Sequence, residues 1–303
     1  VITRDPDAFL RFARGCAPDF GAATAKAAFL VAPEGFARAE QSAADNRYMA
    51  GAGAFDAGRA MAQHRALQRA MADILPTVCF PGDPRAPDGL FPNNAFATVP
   101  GRLLVGRMRH PVRQREAARA DIRGFFADTL GYAIHDLSGQ PHPCELTGAV
   151  VIDRARGLGF CGLSERCDAE GAALMHHAFG LRATLVFELA QGEYHTNVVL
   201  AVLAGRAALL CADGFADPGA VAAIATLYAP HVAMLGPGER GGFAGNAIAL
   251  SEDTVWMSQA GGAALAPANR AALAQAGFQL RAVPLDAIEA GGGSLRCCIA
   301  EIY

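Results

Sequence analysis

Lysine is almost missing from this 303-residue chain: Lys26 stands alone against 25 arginines, and tryptophan occurs once. We read that bias as a property of the source's composition rather than of function. No stretch approaches the roughly 18 uncharged apolar residues that a membrane helix requires, so a membrane span is not expected. Residues 1–20 carry Arg4, Asp5, Asp7, Arg11 and Arg14 among their apolar positions, which leaves no signal-peptide core. Excess charge is lacking too: a net −3 makes no electrostatic case for nucleic acid or an anionic membrane surface. Eight cysteines in 303 residues are too sparse for a disulfide scaffold, and none pair at C-x2-C zinc spacing. A reducing, cytoplasmic setting is the expectation.

What the chain does have is apolar content, 52% hydrophobic against 18% charged, enough for a sizeable core and too much for disorder. Short runs rich in Val, Ile, Leu and Phe read as strands at 27–32, 77–80, 102–105, 149–153, 184–189, 197–203, 207–211, 232–235, 247–250, 254–257, 279–283 and 295–302. Helices are expected over 55–74, 112–129, 165–178, 218–228 and 269–276. In the first of these, Met61, His64, Leu67, Met71 and Ile74 recur at the spacing of one helix face. Two or three strands per helix is a surplus for a doubly wound sheet. Five α/β units of about 60 residues, closed in a ring, account for the rhythm better. No linker or charge run divides the chain, so one domain is expected.

Two motifs invite over-reading. Gly157-Leu158-Gly159-Phe160-Cys161-Gly162 satisfies G-x-G-x-x-G, but Asp153-Arg154-Ala155-Arg156 separates it from the preceding strand. A dinucleotide site needs its glycines at the strand end, so a hairpin turn is the better reading. His176-His177 diverge by about 100° around a helix and cannot share a metal. One core-facing and one solvent-facing histidine is expected. Cys16, Cys79, Cys161, Cys167 and Cys211 read as small buried hydrophobes.

Four places carry chemistry. The terminus Gly291-Gly292-Gly293-Ser294-Leu295-Arg296-Cys297-Cys298 sets a thiol beside an arginine, which favours the thiolate, and strand alternation would send the two cysteines to opposite faces. Glu193-Tyr194-His195-Thr196-Asn197 places a histidine at a strand entrance. Cys144-Glu145-Leu146-Thr147-Gly148 places a lone carboxylate before a strand, and Asp88-Gly89-Leu90-Phe91-Pro92-Asn93-Asn94 offers two amides in a turn. A Cys/His/Glu set is a candidate for nucleophilic catalysis, while each member alone also reads as a buried thiol, a capped histidine, a solvated glutamate or an Asx turn.

Together with Phe29-Leu30-Val31-Ala32-Pro33, Asp45-Asn46-Arg47-Tyr48-Met49 and Phe243-Ala244-Gly245-Asn246, these motifs resemble the amidinotransferase/arginine deiminase superfamily, the penteins. Within it the chain resembles the citrulline-utilisation hydrolase group. The resemblance runs from about residue 27 to the end, so residues 1–26 are expected to be an N-terminal extension and 27–303 the catalytic domain. It implies a five-bladed α/β propeller of pseudo-fivefold ββαβ repeats. It also implies Cys297 as nucleophile, His195 as general acid/base, and Glu145 orienting the histidine or gripping substrate nitrogen. Asn93, Asn94, Asn197, Asn46 and Asn246 are expected at the substrate, and Arg113 or Arg47 at its α-carboxylate. No metal or organic cofactor is implied.

In the resembling families, arginine deiminases and dimethylargininases carry an aspartate where this chain has Asn94, and arginine deiminases carry another where it has Asn197. The expected activity is therefore hydrolysis of a C–N bond in a ureido or guanidino amino acid, with citrulline favoured because amides suit a neutral group. Arginine dihydrolase, deiminase and amidinotransferase activities are the alternatives, and a catalytically idle binding module is the non-enzyme reading. The partner is then a small amino acid, with a homo-oligomer left open.

Overall fold

The computed structural model describes residues 1–50 and 55–303. Its strands are β1 (Ile2–Thr3), β2 (Ala27–Val31), β3 (Thr77–Phe80), β4 (Phe96–Val99), β5 (Arg102–Val105), β6 (Ala133–Asp136), β7 (Val150–Asp153), β8 (Leu158–Leu163), β9 (Ala183–Glu188), β10 (Leu200–Leu203), β11 (Ala207–Leu210), β12 (Val232–Met234), β13 (Ile248–Ala249), β14 (Thr254–Ser258), β15 (Gln279–Val283) and β16 (Ala300–Ile302). They form five sheets: β4-β5-β6, β7-β8-β9 with β1 added at its edge, β10-β11-β12, β13-β14-β15, and β16-β2-β3. In every sheet the first pair is antiparallel and the second parallel. Helical segments cross over between the second and third strands, as a parallel pair requires. The chain is thus five ββαβ units, and the last strand, β16, completes the sheet that β2 and β3 begin.

The first strands of the units start at residues 96, 150, 200, 248 and 300, a shorter spacing than the expected 60. β16 packs on β4, β7 on β10, and β10 on β13, so these strands form the inner wall of the ring. That wall is apolar: Ala97, Val150, Leu200, Leu203, Ile248 and Ala300 are buried. Helices cover the outside. The helix Ala57–Ala72 is capped by Asp56 and buries Ala60, Gln63, His64, Leu67 and Met71, while Ile74 lies beyond its end and is exposed. Asp168 and Asp217 cap Ala169–Phe179 and Pro218–Tyr228.

Three expectations need correction. The helix over 112–129 is broken into Pro111–Ala117, Ala120–Gly124 and a wider turn at Phe125–Thr129, because Arg119 is non-helical and its side chain pairs with Asp121. The strands expected at 197–203 and 295–302 each begin as a helical turn, Thr196–Val199 and Leu295–Cys298. Apolar runs this short do not distinguish a buried turn from a strand. Finally, β1, β4, β6 and the helix Pro6–Ala13 fall where no element is expected; that helix packs on Pro218–Tyr228. The Gly157–Gly162 segment is the β7–β8 hairpin and the strand after it, as read. His176 is buried against Thr184 and His177 is exposed.

Candidate active site

Helical turns precede four of the inner strands: Pro92–Asn94, Leu146–Ala149, Thr196–Val199 and Leu295–Cys298. These turns pack on one another, so residues far apart in sequence meet at one end of the ring. Glu145 and His195 each lie five residues before an inner strand, equivalent positions in successive units. His195 Nε2 sits 2.8 Å from Glu145 Oε2, with both side chains inaccessible to solvent. The contact fixes the tautomer: the ring carries its proton on Nε2 and leaves the Nδ1 lone pair free. Nδ1 is buried and has no hydrogen-bond partner among the described residues. Burial pushes His195 down to about 4, against the opposing pull of Glu145, so the histidine is a neutral base at pH 7. Gly148 makes the approach possible, since a Cβ there would lie 2.4 Å from the Asn94 side-chain amide and 2.8 Å from His195 Nδ1.

Cys297 is buried. Its N–H donates to Asn246 Oδ1 (3.3 Å), and its sulfur accepts from Asn246 Nδ2 (3.3 Å) and, more weakly, Asn197 Nδ2 (3.7 Å). Burial raises the thiol, and the amides and Arg296 offset this only in part. The expected activation by Arg296 is therefore not what the fold provides. That guanidinium is held by Ile299 O and Glu301, each at 2.8 Å. The separation of the two cysteines arises from the helical turn, not from strand alternation: Cys297 lines the cavity and Cys298 lies in the core.

Of the expected site residues, Cys297, Asn46, Asn94 and Arg113 line one small cavity, whereas His195, Glu145, Asn197, Asn246 and Asn93 are not among its lining residues. Asn46 lines it and donates to Gly292 O. Asn94 lines it too; with its amide oriented to satisfy both ends, it donates to Asn93 Oδ1 (3.1 Å) and accepts from Arg113 (3.2 Å). Asn93 is fully buried and bonds to Thr147, one layer back. Arg113 lines the cavity with Glu116 bidentate upon it at 2.8 Å, and Glu145 3.4 Å away. Arg47 does not line the cavity; it pairs with Glu193 at 2.6 Å.

Two charged lining residues have no role in the sequence reading. Arg166 is bidentate to Asp45 (2.6 Å at its shortest), lies 3.6 Å from Glu145 and stacks over Tyr194. Nothing in its sequence context marks it. Asp88 had a signal, since it opens the turn that holds Asn93 and Asn94. Its Oδ2 accepts from Ser42, while its buried Oδ1 has no partner among the described residues. Burial alone would raise the Glu145 carboxyl, but Arg166, His195 and Arg113 outweigh it and hold Glu145 well below the usual carboxylate range. Burial pushes Glu116 up to about 7 despite Arg113. Among the described residues no His/Cys/Asp/Glu cluster suits a metal ion.

The family model described as "N,N dimethylarginine dimethylhydrolase, eukaryotic" matches residues 32–303. The chain belongs to this family. Like the rest of the dimethylarginine dimethylhydrolase family, it is a hydrolase of C–N bonds other than peptide bonds. Its α/β pentein fold is shared with solved structures. The N-terminal domain of ArgZ, an arginine dihydrolase from the ornithine–ammonia cycle in Cyanobacteria, solved as a mutant bound to substrate, is 19% identical with a TM-score of 0.78. That match covers 91% of this chain and 98% of the other. AgrE in complex with ornithine and NAD+ matches at 20% identity and TM-score 0.79, over 93% of this chain and 40% of that one. A dimethylarginine dimethylaminohydrolase adduct with S-methyl-L-thiocitrulline gives 19% and 0.70, covering 92% and 100%. At these identities the likeness speaks to fold alone. No curated protein sequence matches the chain. Among the described residues, no helix is long and apolar enough to cross a membrane.

Proposed function

We propose that this member of the dimethylarginine dimethylhydrolase family hydrolyses the ureido group of an α-amino acid, citrulline or a close relative, through a covalent intermediate on Cys297. The observation that carries this reading is the surroundings of the thiol. Asn246 and Asn197 reach the sulfur, and no carboxylate lies within hydrogen-bond range of it among the described residues. A buried guanidinium without a counter-charge costs on the order of 3–5 kcal/mol, and a neutral ureido group avoids that cost. Its carbonyl accepts from an asparagine NH2 while its own NH groups donate to an amide oxygen. The amino-acid end has partners of its own: Arg113 and Arg166 for the carboxylate, and the free Oδ1 of Asp88 for the ammonium. Residues 27–303 are the catalytic domain in this reading, and residues 1–26 an added segment.

The chemistry follows from a thiol and a neutral imidazole. His195 Nδ1 takes the Cys297 proton as the sulfur attacks the ureido carbon, and the resulting imidazolium is stabilised by Glu145. Collapse of the tetrahedral adduct breaks the bond to the side-chain nitrogen, which leaves as the amine after taking the proton back from His195. A carbamoyl thioester remains on Cys297. Water, deprotonated by His195, attacks it; the thiol is restored, and the carbamate released decomposes to CO2 and ammonia.

One observation favours a second reading, arginine dihydrolase. Four buried or half-buried carboxylates, Asp45, Asp88, Glu116 and Glu145, surround only two guanidiniums, Arg113 and Arg166, a balance that suits a cationic ligand. Steady-state kinetics on citrulline, arginine and dimethylarginine, with ammonia, amine and ornithine assayed separately, decides between them. A kcat/KM for citrulline above that for arginine supports the ureido reading. Arginine turned over with citrulline accumulating overturns it, and arginine giving ornithine with two ammonia establishes the dihydrolase.

A further inference from the structure

Away from the catalytic cavity, a second pocket of about 320 Å³ lies where β7 and β16 end, within the size range of small-molecule sites. Its walls are mainly apolar, from Phe20, Val99, Pro100, Phe179 and Tyr303, and its charged side chains are all cations: Lys26, Arg102 and Arg154. Glu145 precedes β7 and Cys297 precedes β16, whereas Arg154 and Tyr303 follow them. The two sites therefore occupy opposite ends of the same strands.

Arg154 is the unusual group. It is 9% exposed, and its guanidinium lies 4.2 Å from the Tyr303 ring centre and 5.1 Å from that of Phe179. Nη1 donates to Thr98 O (3.1 Å). Neither Nε nor Nη2 has a hydrogen-bond partner, and no carboxylate pairs with this arginine, among the described residues. The neighbouring acids are engaged elsewhere: Asp153 with Arg156 and Tyr228, and Glu301 with Arg296. A nearly buried guanidinium with a free two-nitrogen edge is a fork that matches a carboxylate. Lys26 and Arg102, both exposed at the rim, add attraction for an anion without desolvation.

The pocket also has a deliberately built wall. Phe20 N–H donates to Ala155 O (2.9 Å), Arg182 pairs with Asp19 (2.8 Å), and the same guanidinium lies over the Phe20 ring. Gly157, with φ +70°, clears the space, since a Cβ there would come within 2.7 Å of Phe20. This segment precedes the stretch matched by the family.

We propose that this pocket is a second ligand site, taking a monocarboxylate carried on a flat apolar body, with Arg154 as its anchor. The carboxylate lies along the Nε/Nη2 edge, and the body is buried against Phe20, Val99, Pro100 and Phe179. The probe is benzoate, titrated calorimetrically into the full chain, with acetate (head alone) and benzyl alcohol (body alone) as controls. Benzoate is expected to bind at one site at least tenfold more tightly than either control. Arg154→Gln is expected to weaken it at least tenfold. Because Arg154 is buried, the exposed pair Lys26→Glu/Arg102→Glu provides a second test that spares the core, with a similar loss expected. Lys26 is the only side-chain amine, so 13C reductive methylation gives it a single resonance that benzoate should shift. Binding no tighter than acetate, or binding that survives the rim variant with the Lys26 signal unmoved, overturns the proposal.

Discussion

Glu145→Gln tests how much of the site depends on one carboxylate. In the native arrangement Oε1 accepts from Arg109 N–H (3.0 Å), while Oε2 meets His195 at 2.8 Å, Arg113 at 3.4 Å and Arg166 at 3.6 Å. A glutamine has one acceptor oxygen for these two sets of donors. If the oxygen stays on Arg109, the NH2 faces His195, and the ring must accept at Nε2 and carry its proton on Nδ1. The base lone pair is then lost, the wrong-tautomer situation that costs about 10⁴ in kcat when the aspartate of a serine-protease triad becomes asparagine. If the oxygen turns to His195, an NH2 confronts a buried N–H and leaves it unsatisfied, at about 1–3 kcal/mol. The lost charge adds to this. Arg113 keeps Glu116 and Arg166 keeps Asp45, so the penalty falls at the low end of the roughly 3–5 kcal/mol for breaking a buried ion pair. The assay is a single-turnover rate beside a urea midpoint at the same pH. Turnover within tenfold of the native rate at unchanged folded stability would refute the positioning role.

With His195 held down to about 4 and the Cys297 thiol raised, the resting pair is neutral over a wide range, so kcat/KM should stay level as pH falls through 6.5 and decline only near 4; an acid limb close to an ordinary histidine's ~6.5 contradicts this. Cys297→Ser should abolish turnover while Cys298→Ala leaves most of it, since only Cys297 lines the cavity; equal losses in a mass-checked pair of variants would reverse the assignment. Asp88→Asn changes a cavity-lining carboxylate whose buried Oδ1 has no partner among the described residues, so on the proposed role KM should rise about tenfold or more with a smaller change in kcat, and a loss confined to kcat would place Asp88 at the chemistry instead. Asn197→Asp should shift the ratio of kcat/KM values toward arginine by at least about tenfold; an unchanged ratio in paired substrate assays removes Asn197 from charge selection.

Much of this protein is readable along the chain because its signals are local. Thr77–Phe80, Arg102–Val105 and Gln279–Val283 are strands where the apolar runs lie, and Pro218–Tyr228 is a helix where Asp217 and Pro218 announce one. Cys297, His195 and Glu145 stand out because each sits in a short motif directly before an inner strand. β4 was missed because its four residues are too few to carry a period, and the turns at 196–199 and 295–298 because buried apolar residues look alike in either conformation. The sequence by itself determined the residue types, their order and the five-unit rhythm. Only the tertiary structure decided their state. It buries both His195 and Cys297 and shifts each toward its neutral form, turns Arg296 toward Glu301, and brings Arg166 and Asp88 to the cavity from units with no motif in common. Burial and neighbouring charge set a group's protonation, and both come from residues remote in sequence that meet only when the ring closes.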